Sequence, residues 1–136
     1  MMNRSELREQ VFKLLFRVEF TPLDEMPEQE ELFTTTSDSE FSKKDADYVK
    51  EKYENIASRL TEIDEAINKE TAESGWDTKR MAKVDLTIIR LAVYEIKYDE
   101  SVPTGVAINE AVELAKKFGQ DGSSAFVNGV LAKFAQ

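Results

Sequence analysis

Any acid–base or nucleophilic chemistry in this 136-residue chain must come from carboxylates, lysines and tyrosines, because it has no histidine and no cysteine. Zinc ribbons, zinc fingers, HExxH proteases, CxxC redox sites, disulfide frameworks and histidine-based triads therefore all lack a ligand or nucleophile. No GxGxxG or GxxxxGK[ST] segment is present to hold phosphates, and Asp45 with Asp47 lacks the glycine and distal Glu of a calcium loop. Asp85, Glu95 and Glu110 are the carboxylates set closest to apolar rows. Their ordinary role is to cap helices or to pair with Arg90 and nearby lysines, since burying an unpaired charge is costly. These residue types point to a binder and not an enzyme, with no catalytic residue, metal or cofactor expected.

A formal net charge of −9 argues against binding nucleic acid by overall positive field. The charge is unevenly spread, however. Residues 1–20 sum to +1, residues 21–75 to −10, and residues 76–136 to zero. Local basic surface is thus available at the N-terminus and around Lys79, Arg80 and Lys83, where a whole-molecule argument hides it. Lys13 and Arg17 break the first apolar stretch, so it does not read as a signal peptide. The longest charge-free run, Gly122 to Ala132, is far short of the roughly 20 residues needed to span a bilayer. The expected location is the cytoplasm.

The elements that must position these residues are helical throughout. Leu7, Val11, Leu14, Leu15 and Val18 form one apolar stripe, widened by Phe12, Phe16 and Phe20. Asn3 or Ser5 is placed to cap this helix, and Thr21-Pro22 stops it. Residues 21–42 are the least regular, with Pro27 and a run of Glu suggesting a helix start and Thr34 to Thr36 its end. Ser42 precedes a strong helical stretch, which breaks near Asn55 to Ser58 and continues through Ile63 and Ile67 to Ser74-Gly75. Trp76 to Tyr98 reads as a central helix with apolar residues on two faces. Thr104 is a candidate cap for the next helix, and Gly119 a candidate stop. A last helix carries Val127, Val130, Leu131 and Phe134. Gly129 within it costs about 1 kcal/mol relative to alanine and suggests close approach of a neighbouring helix. The fold class is all-α, about seven helices in two small bundles within a single domain, divided at about 1–75 and 76–136.

The segments VDLTIIRLAVYEI (84–96), VPTGVAINEAVELAKKFG (102–119) and FVNGVL (126–131), in this order and spacing, closely resemble the NusB transcription antitermination family. LREQVFKLLF (7–16) resembles its opening helix. The resemblance implies two small helical bundles and a non-enzymatic role in transcription antitermination. It implies pairing with NusE, a small-subunit ribosomal protein, and binding of boxA RNA in nascent transcripts, notably of ribosomal RNA operons. It further implies assembly with the elongating RNA polymerase and other Nus factors, no membrane partner, and leaves a homodimer open. Carried over by position, Arg4, Arg8, Phe16 and Phe118 fall on the RNA side. Asp85, Glu110 and Phe126 fall on the protein-partner side. The family's run of arginines is thinned here by Ser5, Glu6 and Leu7. Weak RNA binding by the isolated chain follows, with aromatic stacking and the basic partner contributing much of the rest. The alternative is a purely protein-binding helical adaptor.

Overall fold

The structure is a computed structural model that describes residues 1–36 and 41–135. Among these residues it has seven α-helices, three 3-10 turns and no strand. The helices are α1 (Arg4–Phe16), α2 (Met26–Thr36), α3 (Lys43–Ala57), α4 (Leu60–Thr71), α5 (Lys83–Tyr98), α6 (Thr104–Phe118) and α7 (Ser123–Ala132). None of the helices described is long and apolar enough to cross a membrane. The chain divides into two compact units, Met1–Ser58 and Arg59–Gln136. The division thus falls at Ser58/Arg59 instead of near residue 75. The reason is α4: it packs on α5, buries Ile63 and Ile67, and ties itself there through Asp64. The Arg90 guanidinium donates to that carboxylate from Nε at 2.8 Å and from Nη2 at 2.7 Å.

In the first unit, the side chain of Asn3 accepts from the Glu6 N–H at 2.8 Å while the Glu6 carboxylate accepts from the Asn3 N–H at 3.1 Å. This reciprocal capping box fixes where α1 starts. Helix α1 packs on α3, and Val11, Phe12, Leu14 and Leu15 form the core with Val49, Tyr53 and Ile56. Ser42 caps α3 as its sequence position suggests, accepting from the Asp45 N–H at 3.0 Å. The buried Asp45 carboxylate in turn holds the Met2 N–H at 3.0 Å, anchoring the start of the chain to α3.

Glu30 of α2 is buried in the same unit. Burial, followed by the hydrogen bond and charge of Glu54, pushes its carboxyl up from 4.5 to about 7. The protonated form is therefore the one the folded unit favours. Its stabilisation is complete below pH 4.5 and is lost as pH rises through about 7. Glu30→Gln keeps the shape and removes the titration. It is expected to flatten the dependence of stability on pH between those values and to be more stable than the parent chain at pH 8, as read from urea midpoints across pH.

The second unit is built around α5, which packs against α4, α6 and α7. Asp85 through Glu95 are buried without interruption, which accounts for the apolar character of two faces. The helix starts at Lys83 and not at Trp76. Asp77 Oδ1 captures the N–H groups of Lys79 and Arg80 at 2.9 and 3.0 Å, and the Thr78 N–H goes to Asn68 Oδ1 at 2.9 Å. These bonds replace the first helical turns. Helix α6 has Pro103 at its cap position with no side-chain bond, so Thr104 is its first residue and not its cap.

Gly119 ends α6 as its sequence position suggests, its N–H bonding to the Ala115 carbonyl. No neighbouring helix comes within 4 Å of a Cβ built at Gly129, inside α7, so the expected close approach is absent there. At Gly119 a Cβ would sit 2.5 Å from Ser123 Cβ and 2.7 Å from the Ala115 carbonyl oxygen. Gly129→Ala should raise stability by about 1 kcal/mol, and Gly119→Ala should lower it by about 1–3 kcal/mol, measured by thermal denaturation.

Candidate binding surfaces

A cleft of about 470 Å³ opens in the second unit where the 76–82 turn, the start of α5 and the start of α7 meet. The rings of Trp76 and Phe126 meet edge to face, with centroids 5.1 Å apart and planes at 64°. The Arg80 guanidinium lies 5.8 Å from the centre of the Trp76 ring and donates to the Gly75 carbonyl at 2.9 Å. Gly75 and Gly122 both take a left-handed conformation (φ 79° and 87°), reversing the chain on either side of the cleft. The Ser123 hydroxyl accepts from the Gln120 N–H at 2.9 Å and holds the second reversal in shape.

Asp85 lines this cleft from the first turn of α5 and is only 8% exposed. Its Oδ1 is buried and has no hydrogen-bond partner among the described residues. The helix N-terminus favours a carboxylate at this position by up to about 1 kcal/mol. An unsatisfied buried acceptor costs about 1–3 kcal/mol, so the chain alone leaves Asp85 at a loss. A donor from another molecule would remove that loss. The cleft therefore combines an aromatic wall, a cation held at the rim and an acceptor awaiting a donor. These features equip it for recognition.

Of the residues singled out from sequence, Asp85 and Phe126 come together in this cleft. Glu110 and Phe118 belong to the same unit but do not line it. Glu110 is half-buried on α6; Phe118 is half-buried at the end of α6, with the Lys117 ammonium 5.4 Å from its ring centre. Arg4, Arg8 and Phe16 share α1 in the first unit. Arg4 is exposed, whereas Arg8 is only 6% exposed. Phe16 is half-buried, stacked on Phe12 at 6.2 Å and edge-on to Phe20 at 5.1 Å. Sequence reasoning did not place Trp76 and Arg80 in a site. The signal was an aromatic residue followed within a few positions by Lys79, Arg80 and Lys83.

Among the described residues, seven helices in two units and no strand define an all-helical protein class. Similarity to known proteins makes that class specific. Residues 5–136 match the NusB family, and the chain belongs to it. It is 55% identical over 138 residues to the transcription antitermination protein NusB of Agathobacter rectalis, covering 98% of this chain and 100% of that protein. The structure of T. maritima NusB matches with a TM-score of 0.84 at 32% identity, over 98% of this chain and 91% of that one. A crystal structure of antitermination factors NusB and NusE in complex with dsRNA matches with a TM-score of 0.75 at 25% identity, over 96% of this chain and 94% of that one. The resemblance carried by residues 84–96, 102–119 and 126–131 is borne out by these matches.

Proposed function

We propose that the chain acts as a cytoplasmic transcription antitermination factor that pairs with the small-subunit ribosomal protein NusE and binds boxA RNA of nascent transcripts. In this reading it joins the elongating polymerase with other Nus factors, notably on ribosomal RNA operons. The observation that carries it is the buried, unpartnered Asp85 oxygen in an aromatic cleft, an acceptor that a basic protein can satisfy. The similar NusB structure in which NusE and dsRNA are present together supports the pairing of both ligands.

Electrostatics assign unequal shares. Phosphate contacts are few on α1, because Arg8 is mostly withdrawn from solvent. Arg4 is left as the exposed arginine of α1, at its first residue, with the half-buried Phe16 at its last. RNA affinity then depends on the partner, with aromatic contact and Arg4 setting the placement of the strand. Arg4→Ala should weaken RNA binding by the two-protein complex across sequences. It should also reduce the slope of log affinity against log salt by about 1. An unchanged slope in anisotropy titrations at several salt concentrations would remove Arg4 from the RNA surface.

A further inference from the structure

Asp121-Gly122 and Asn128-Gly129, both in the second unit, are the only places where an Asp or Asn precedes a glycine in this sequence. In each, the glycine nitrogen can attack the side-chain carbonyl carbon of the residue before it. A glycine has no Cβ to obstruct that approach.

The fold separates the two. Gly129 lies inside α7, where helical geometry commits its N–H to the carbonyl four residues back. Attack on Asn128 therefore requires the helix to open. Gly122 lies just outside the helix, in the turn that the Ser123 N–H closes by donating to the Gln120 carbonyl at 3.0 Å. Asp121 and Gly122 are both exposed, and a Cβ built at Gly122 would meet nothing within 4 Å. Among the described residues, no hydrogen bond engages the Gly122 N–H. The nucleophile and its target are thus adjacent, unprotected and in water.

The same turn shapes the cleft, which Asp121 and Gly122 line. The Gly122 carbonyl accepts from the Phe126 N–H at 3.0 Å, so the turn sets where the Phe126 ring meets Trp76.

We propose that Asp121 is a site of isoaspartate formation through a cyclic imide with Gly122, and that the conversion reshapes the cleft. The Gly122 nitrogen bonds to Cγ of the protonated Asp121 carboxyl, whose hydroxyl departs with the amide proton as water. A second water then opens the imide. Breaking the new C–N bond restores aspartate. Breaking the original one routes the main chain through Cβ and Cγ and frees the α-carboxylate. Water leaves and water returns, so mass is unchanged and nothing is oxidised or reduced. The added backbone carbon falls between Gln120 and Ser123, whose two mutual hydrogen bonds, at 3.0 and 2.9 Å, fit the original chain length.

The test incubates the full chain at neutral pH, folded or unfolded in urea, and follows the tryptic peptide 118–133, which contains both dipeptides. Isomerisation at Asp121 shifts its retention at constant mass, deamidation at Asn128 raises the mass, and electron-transfer fragmentation locates each. In the folded chain, isoaspartate should accumulate at Asp121 at least severalfold faster than any change at Asn128. Unfolding should accelerate Asn128 severalfold, because α7 no longer holds the Gly129 N–H. Asp121→Glu, which would need a six-membered ring, should lose the product and keep the parent's unfolding midpoint. Emission of Trp76, the single tryptophan, should shift as the isomerised fraction grows and stay constant in Asp121→Glu. Isoaspartate forming at Asp121 no faster than change at Asn128 in the folded chain overturns the modification site. Equal Asn128 rates in the folded and unfolded chain overturn the protection by α7. Constant Trp76 emission in the isomerised chain overturns the effect on the cleft.

Discussion

Asp85→Ala is expected to weaken the complex with NusE roughly thirtyfold or more, the effect of about 2 kcal/mol or above from truncating one side of a buried charged hydrogen bond. The same substitution should leave the stability of the isolated chain within about 1 kcal/mol of the parent. Two small effects oppose each other there: the carboxylate is lost from the N-terminal turn of α5, and a buried acceptor without a partner disappears. Binding by titration calorimetry and stability by urea denaturation separate the two. Asp85→Asn, which retains one acceptor oxygen, should fall between parent and alanine in affinity. If Asp85→Ala lost stability and binding together, Asp85 would be a structural residue whose effect on the partner is indirect.

Arg90→Ala should produce the largest loss of stability in the chain, about 3–5 kcal/mol. The guanidinium is mostly buried and grips Asp64 through two parallel hydrogen bonds, joining α4 to α5. Its removal strands a carboxylate whose side chain is only 25% exposed. Partial access of water to Asp64 places the expected value towards the lower end. Arg90→Met, which refills the volume of the arginine stem, should recover part of the loss. A shift below about 1 kcal/mol would mean that the pair behaves as an ordinary surface ion pair.

Helix content was legible in the sequence because a 3.6-residue period reports which face of a segment is apolar. The two apolar faces of residues 84–98 indicated a central helix, and α5 contacts three others. The period could not report what the helix begins with. Trp76 to Ala82 forms turns because Asp77 and Asn68 offer the backbone better partners than a helix would, and such choices depend on side-chain geometry. The unit boundary was missed for a related reason. Ile63 and Ile67 fit an inward face in either bundle, and it is the long-range bonds of Asp64 with Arg90 and of Glu62 with Tyr98 that assign α4 to α5. Gly129 shows the same limit: a glycine in a helix signals missing volume, but the space beside it is open.

Less of the candidate site than of the fold was legible. Asp85 and Phe126 were singled out through the family resemblance, and the structure places them on one cleft. Periodicity alone gave Asp85 an ordinary capping or pairing role. Its buried oxygen has no partner among the described residues, a fact that a list of residue types does not contain. Arg8 illustrates the opposite case. Sequence position puts it beside Arg4 as a basic residue of α1, yet the fold withdraws it from solvent. The net charge of −9 proved the least informative quantity, since the acidic residues concentrate between Thr21 and Gly75 while the exposed Arg4 lies outside that segment.

The central claim is that this acidic chain binds RNA jointly with a basic partner. Fluorescence anisotropy of labelled boxA RNA, titrated with the chain alone and with an equimolar mixture of the chain and NusE, tests it most directly. Weak binding by the chain alone and strong, salt-sensitive binding by the mixture, exceeding that of NusE alone, is the predicted result. Negligible RNA binding by both chain and mixture, with the protein pair still forming, would contradict the account and leave a helical adaptor that recognises protein only.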